Sequence, residues 1–380
     1  MSLINNYRIA KVCGVVYQNL IRRHYRINPH LASLSYQEHK SEIKRFFPTH
    51  VNSFPHYMNK LGHCCEEFIY DLQSLQQSWA LENGYDYGEH SWTIDILLQQ
   101  LKDFQPEILY LQDVHGLPHC LRKEIKKLIP SIQKVIIFKG FPGRPEELHD
   151  IDLILAGTPL ICREYAKYHD NVKLFYHSFD SLIIKELEKR NSTTEKKYNF
   201  TFLGYSGYGG YGSNHLDRFQ MLRSLVEETD LQMWTEEDQN YQVSQLKIEE
   251  QPLSNQFPKQ VYEGKLGLNM YQTLQNSLVT FNKHTEAAGT VIGNMRLFEA
   301  TGVGTCLLTD TGDNMNSLFE ENSEVVVYNN LHECKEKLKF LLENESTRRN
   351  IAKAGMSRTL KDHSLENRCS ELNQYLEELS

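Results

Sequence analysis

The chain has 380 residues, 40% hydrophobic and 24% charged, which suits a globular protein and favours two domains over one. A formal net charge of −8 argues against a general nucleic-acid binder, and no apolar run approaches the roughly 18 residues needed to span a bilayer. The N-terminal MSLINNYRIAKVCGVVY lacks an apolar signal core, and the eight cysteines contain no C-x-x-C; free thiols in the cytoplasm are expected, and neither a zinc ribbon nor a thioredoxin motif.

Arg8–Tyr17 reads as a first strand, and Gln18–Leu34 is less regular. Ser35-Tyr-Gln-Glu38 is a capping-box pattern opening a helix that Pro48 stops. His63, Cys64 and Cys65 are adjacent, but strand neighbours point to opposite faces, so they do not form one metal site. Cys64–Tyr70 reads as a strand, followed by a helix through Trp79. Ser91–Phe104 has Ile94, Leu97, Leu98, Leu101 and Phe104 at helical spacing. The buried-looking strand Ile108–Leu111 runs into Gln112-Asp113-Val114-His115-Gly116. The rhythm continues with helix Leu121–Leu128, strands Lys134–Phe138 and Ile151–Ala156, helix Leu160–Tyr168 and strand Val172–Tyr176. Unbroken apolar strands alternating with helices imply a parallel sheet covered on both faces. The basic clusters at Arg22–Arg26 and Lys123–Lys127 read as solvated surface. Polar Asn191–Lys197 reads as a linker between a domain over 1–190 and a second over 198–362.

The second domain opens with strand Tyr198–Leu203, the loop GYSGYGGYG and a helix carrying Phe219, Leu222, Leu225 and Val226. Leu231–Trp234, Leu266–Leu268, Leu278–Phe281, Thr305–Thr309 and Glu324–Tyr328 read as further strands, and Glu236–Ser254 as a long polar loop. Leu331–Leu342 and Ser346–Leu360 read as helices, and a last helix aligns Leu365, Cys369, Leu372 and Leu376. Chemistry concentrates in Phe281–Asp313. Gly289 and Gly293 loosen a loop, and a helix starts near Asn294 with Met295, Leu297, Phe298 and Ala300. Its first backbone N–H groups and positive dipole end suit a diphosphate. Arg296 in the first turn opposes the dipole unless an anion binds nearby, and Glu299, one turn on, suits two vicinal hydroxyls.

Asn294, Arg296, Phe298, Glu299, Ala300, Gly304, Leu307, Leu308, Thr309 and Asp310 match the pattern N-x-R-x-F-E-A-x-x-x-G-x-x-L-L-T-D. The chain here resembles the C-terminal half of GT-B-fold glycosyltransferases, in particular the CgeB-like group; shorter resemblances cover Asn28–Tyr36, Leu75–Ala80, Tyr110–Asp113 and Phe179-Asp180. The resemblance implies an α/β chain of two Rossmann-like domains whose parallel sheets face a cleft, with a terminal helix over 363–380 crossing back to the first. It implies a nucleotide-diphospho sugar on the second domain, with Glu299 on its ribose, and an acceptor on the first. Many retaining members carry a second Glu eight residues before this one, where this chain has Val291.

Gly207-Tyr-Gly209-Gly-Tyr-Gly212 is also a literal G-x-G-x-x-G, for which a dinucleotide fold would want Glu236 or Glu237 at the end of the next strand. The resemblance instead gives Gly204, Gly207 and Gly209 to the sugar nucleotide. Arg218 is either a phosphate contact or an ordinary surface arginine. His284, with Glu286, follows the Phe281 strand and suits the donor phosphate or sugar; Asn294, Met295 and Arg296 complete the donor set. Asp113 and His115, past the end of a parallel strand, suit a general base. Asp150-Ile-Asp152 spells D-x-D, but it opens an apolar run instead of closing one. The expected reaction is glycosyl transfer to a hydroxyl of a glycan, lipid-linked glycan or protein, compatible with peripheral membrane contact. No metal or other cofactor is expected, the leaving group being neutralised by backbone N–H groups and arginine. A sugar-nucleotide epimerase, a pyridoxal-phosphate phosphorylase and a non-catalytic nucleotide-sugar subunit stay open as alternatives.

Overall fold

The structure, a computed structural model, describes residues 6–15, 18–46, 53–112, 117–141, 143, 148–190, 196–208, 216–237 and 251–379. The chain divides into two compact units, Met1–Tyr176 with Leu365–Ser380, and His177–Ser364. Each holds a six-stranded sheet, and every strand pair in both is parallel.

The first sheet joins β1 (Arg8–Cys13), β2 (Cys64–Ile69), β3 (Ile108–Leu111), β4 (Lys134–Lys139), β5 (Leu153–Ala156) and β6 (Val172–Leu174) in the order β2-β1-β3-β4-β5-β6. Its helices are α1 (Gln18–Ile27), α2 (Tyr36–Phe46), α3 (Phe54–Lys60), α4 (Gln73–Glu82), α5 (Trp92–Phe104), α6 (His119–Leu128) and α7 (Pro159–Tyr165). One face buries Ala10, Val12, Leu109, Leu111, Val135 and Ile137 against α5 and α6. The alternate positions of β1 and β2 place Lys11 and Glu67 on the other face, fully buried, with Lys11 Nζ 2.7 Å from Glu67 Oε1. Burial works to lower the Lys11 pKa, but the field of Glu67, its hydrogen bond and the nearby Cys13 and Cys65 together outweigh it and hold the ammonium charged.

The irregular reading of 18–34 is corrected. Residues 18–27 are helical, because Leu20, Ile21 and His24 form a buried stripe along just under three largely polar turns, and Pro29–Ser33 adds a 3₁₀ turn. Ser35 and Glu38 pair ahead of α2, the Ser35 hydroxyl donating to Glu38 Oε2 at 2.6 Å. His63, Cys64 and Cys65 diverge as strand geometry requires: His63 and Cys65 are buried and Cys64 is exposed.

The second sheet joins β7 (Tyr198–Leu203), β8 (Gln232–Thr235), β9 (Val261–Glu263), β10 (Ser277–Asn282), β11 (Cys306–Asp310) and β12 (Val326–Tyr328) in the order β12-β11-β10-β7-β8-β9. Its helices are α8 (Leu182–Lys189), α9 (Leu216–Glu228), α10 (Leu253–Gln256), α11 (Gly267–Gln275), α12 (Met295–Gly302), α13 (Met315–Leu318), α14 (Leu331–Glu343) and α15 (Glu345–Asp362). From β7 the chain winds through β8 and β9 toward one edge, and from β10 through β11 and β12 toward the other. The boundary between β7 and β10 is therefore a topological switch point, where open α/β sheets bind ligands beyond the carboxyl ends of the strands. The strand reading of Leu266–Leu268 is corrected: Leu266 precedes α11, and Leu268, Met270, Tyr271 and Leu274 are buried at helical spacing. The edge strand there is β9, whose Tyr262 and Glu263 are exposed and gave no apolar signal.

The units divide after Tyr176, ahead of 191–197, of which 191–195 lie outside the described residues. Phe179 is fully buried in the second unit. It receives no hindrance from Gly302, where an added Cβ would lie 2.4 Å from the Phe179 ring, and its backbone N–H donates to His363 O at 2.9 Å. The final helix α16 (Leu365–Glu378) belongs to the first unit, packing on α3 with Leu365, Cys369, Leu372 and Leu376 buried. No helix among the described residues is long and apolar enough to cross a membrane.

Candidate functional site

The carboxyl edge of β7 and β10 carries three segments: Gly204–Tyr208 after β7, Lys283–Asn294 after β10, and the N-terminus of α12. Arg218, on α9, ties the first two together. Its Nη2 donates to Lys283 O at 2.6 Å and its Nη1 to Tyr205 O at 3.4 Å, so this buried guanidinium holds the walls of the switch point. Gly204 and Gly207 have φ of 153° and 100°, and at Gly207 that left-handed backbone turns the loop where an L side chain would be strained. Gly209, Tyr211 and Gly212 lie outside the described residues. Tyr208 packs inward on Phe219, with ring centroids 5.7 Å apart, and is 9% exposed. Glu237 accepts from the Leu253 and Ser254 amides at 2.8 and 3.1 Å, which places the start of α10 on the carboxylate that a dinucleotide reading would give to a ribose.

Asn294 caps α12, its side chain accepting from Leu297 N, and its amide exchanges two hydrogen bonds with Asn282 at the end of β10. His284 fixes the approach to this cap. Its Nδ1 lies 2.7 Å from Asp310 Oδ1, and its Nε2 faces the Gly293 and Asn294 amides at 3.3 and 3.4 Å. A ring nitrogen that accepts from two amides carries no proton, so Nδ1–H donates to Asp310. Asp310 also accepts from the His284 backbone N–H. Burial works to raise the Asp310 pKa, but the bonds from His284 outweigh it and hold the carboxyl below its usual range. Asn314 clamps Ile292 from the far side, accepting from its N–H and donating to its carbonyl, both at 2.8 Å. Val291, at the position of the absent acidic residue, is buried in this packed loop.

With Gly293 and Asn294 facing His284 and Leu297 facing the Asn294 cap, the Met295 and Arg296 amides are the first-turn donors without an acceptor among the described residues. They open α12 at the switch point, the geometry of an anion site. One turn on, Glu299 is 4% exposed. Its Oε1 accepts from the Tyr271 hydroxyl at 3.2 Å and its Oε2 lies 3.1 Å from Arg296 Nη1. Arg296 Nη2 lies 3.3 Å from Met270 Sδ. The cation expected to face an anion thus lies along α12 against its own carboxylate.

The second unit brings Gly204, Gly207, Arg218, His284, Asn294, Met295, Arg296 and Glu299 to one sheet edge or the helix above it. Arg218 and His284 act there on protein backbone. Asp113 and His115 lie outside the described residues. In the D-x-D segment, Asp152 Oδ2 accepts from Val135 N at 2.7 Å at the start of β5, and Asp150 pairs with His119 at 2.7 Å, so the two carboxylates serve separate contacts. Sequence reasoning missed Tyr271, Asn282 and Asp310 as site residues. Tyr271 carried no signal, because the contact of its helix with α12 exists only in the fold. Asn282 and Asp310 carried a signal, as polar residues closing apolar strands at the ligand edge.

Residues 218–374 match the glycosyl transferase-like family. No curated protein sequence matches the chain. Among solved structures, a glycosyltransferase from Rickettsia africae is similar over 99% of this chain and 99% of its own, at 11% identity and a TM-score of 0.57. HepE of Anabaena, in complex with UDP-glucose, is similar over 97% and 99%, at 9% identity and a TM-score of 0.58. Sucrose-phosphate synthase of Thermosynechococcus elongatus is similar over 98% of each chain, at 9% identity and a TM-score of 0.55. At such identities the likeness is one of fold. The chain therefore has the GT-B fold of these glycosyltransferases, and carries a glycosyl transferase-like segment over residues 218–374.

Proposed function

We propose that this protein is a glycosyltransferase of the CgeB-like kind that moves a sugar from a nucleotide-diphospho sugar, with UDP as the first candidate carrier, to a hydroxyl acceptor. The observation that carries the reading is the pairing, at the β7–β10 switch point, of two first-turn amides of α12 with a buried carboxylate one turn on. A diphosphate on the Met295 and Arg296 amides leaves the ribose hydroxyls within a helical turn of Glu299. Amide dipoles fixed before the reaction neutralise the leaving diphosphate without reorganisation, so we expect transfer without a metal or another cofactor. The UDP-glucose in the HepE structure supports the choice of carrier. We place the protein in the cytoplasm, consistent with eight cysteines that form no disulfide.

Calorimetric titration with UDP, GDP, CDP and dTDP, each with EDTA present, tests the donor site. At least one should bind. Glu299→Gln keeps the side-chain volume beside Arg296 and should weaken that binding by about 1.5–3 kcal/mol, the value of hydrogen bonds to a charged group, or roughly 10- to 150-fold. Binding that requires Mn²⁺ or Mg²⁺, or a folded Glu299→Gln protein with unchanged affinity, would overturn this assignment. We assign the acceptor's general base to Asp113 or His115, which follow β3 in sequence. Asp113→Asn or His115→Gln should lower transfer by about 10²- to 10⁴-fold while nucleotide affinity holds; full turnover in both variants would exclude the pair.

A further inference from the structure

We propose that Tyr271 is a specificity-determining positioning residue, which sets the Glu299 carboxylate so that the site distinguishes ribonucleotides from 2′-deoxyribonucleotides. This rests on the reading of Glu299 as the ribose ligand.

Two of the groups that meet Glu299 differ in kind. Arg296, three residues earlier on the same helix, is a long side chain whose Nη1 meets the carboxylate at 3.1 Å from within α12 itself. Tyr271 comes from α11 and is 2% exposed. Its hydroxyl meets Oε1 from a fixed direction, 3.2 Å away. The phenol ring is itself seated: Phe179 meets it edge-on, with ring centroids 5.9 Å apart. Phe179 in turn lies against Gly302, the last residue of α12, where no larger residue fits beneath the ring. The sequence Gly302, Phe179, Tyr271, Glu299 is thus a closed circuit of contacts that begins and ends on α12. A carboxylate bound from a rigid phenol has one rotamer to offer, and vicinal hydroxyls require both of its oxygens in one plane. Without the phenol hydroxyl, the carboxylate loses the contact that reaches it from a seated ring on another helix. The energy at stake is that of the hydroxyl bonds alone, because the diphosphate contacts lie a turn away on the α12 amides.

The test compares UDP with 2′-deoxy-UDP, and GDP with 2′-deoxy-GDP, by calorimetry on the full chain. The parent should bind the ribonucleotide more tightly than its deoxy partner by about 10-fold or more, the worth of one hydroxyl bond to a carboxylate. Tyr271→Phe retains the ring on Phe179 and should shrink that ratio to about 3-fold or less, the deoxy partner losing less affinity than the ribonucleotide because only its 3′-hydroxyl reaches Glu299. A role in folding alone would weaken both ligands together and leave the ratio intact, and that result overturns the inference. If Glu299→Gln also leaves the ratio intact while UDP binds, the ribose reading of Glu299 fails first and carries this one with it. If Glu299→Gln collapses the ratio and Tyr271→Phe does not, the ribose reading stands and this inference alone falls. Binding of neither ribonucleotide overturns both.

Discussion

At the scale of single residues, the site is held by groups whose polar capacity is turned inward. The sequence leaves Arg218 as a phosphate contact or a surface arginine; it is buried and binds two carbonyls across the switch point. His284 looked like a donor ligand from its place after β10, and its ring is clamped between Asp310 and the α12 cap. Such roles are illegible in sequence, because a polar residue at a strand end looks the same whether it faces a ligand or its own backbone. The Asp310–His284 pair has a measurable pH signature. A carboxyl held below its ordinary value near 3.8 stabilises the folded state above that value, and this stabilisation is lost as pH falls through the lower, folded value. Asp310→Asn should therefore destabilise the protein at pH 7 by about 1–3 kcal/mol, the cost of weakening a buried charge-assisted contact. The gap between parent and variant should narrow as pH falls below the ordinary aspartate value. Denaturant melts at pH 7 and pH 3 measure it, and an equal gap at both would show that the carboxylate charge contributes nothing.

At the scale of elements, legibility followed apolar pattern and failed where tertiary contacts override it. The strands β3, β4, β5 and β10 are runs of buried residues and were readable as such. The N-terminus of α12 was readable too, since Asn294 is a capping residue followed by an apolar stripe, and the structure places the cap there. α1 was missed because its sequence, QNLIRRHYRI, exposes basic residues on every side but one. β9 was missed because only Val261 of its three residues is buried, so period-2 alternation had nothing to act on. The neighbouring Leu266–Leu268 reads as a strand but leads into the first turn of α11. A helix is expected between Leu268 and Leu278, yet nothing in the sequence marks that this helix lies beside α12 and brings the Tyr271 phenol to Glu299. The pairing of Lys11 with Glu67 illustrates the same limit on β1 and β2: a charged residue at a core position of each strand is legible only as a pair, and the pair exists only once the strands are in register.

At the scale of the whole molecule, the two sheets are both parallel but differ in strand order; the alternation of strand and helix was readable in each, whereas the strand order and the division between units were not. The polar run at 191–197 has the composition of a linker, yet the boundary lies where Phe179 enters the core of the second unit, a hydrophobic position that composition cannot mark. The last helix crosses back to the first unit as the resemblance implies, although its own apolar stripe does not say which unit it covers. Leu365, Cys369, Leu372 and Leu376 cover α3, Tyr375 Oη donates to Leu174 O at 3.3 Å, and His63 bonds to Asn373 at 2.8 Å, so the first unit is completed by residues that follow the entire second unit in sequence. Burial of each leucine stabilises by about 1.5–3 kcal/mol, and three of them amount to on the order of 5 kcal/mol or more, comparable with the whole net stability of a typical domain. A chain ending at Ser364 should therefore lose the first unit selectively. Hydrogen exchange should show protection falling in β1, β2 and β3 by several orders of magnitude, while β7, β10 and β11 keep theirs, because their core is drawn from residues between Phe200 and Ile351. Nucleotide affinity offers an independent check: if the donor site belongs to the second unit alone, the truncated protein should still bind the diphosphate with a dissociation constant within about 10-fold of the parent. Retained protection throughout β1–β3 would mean that α16 is an accessory to the first unit and not part of its core.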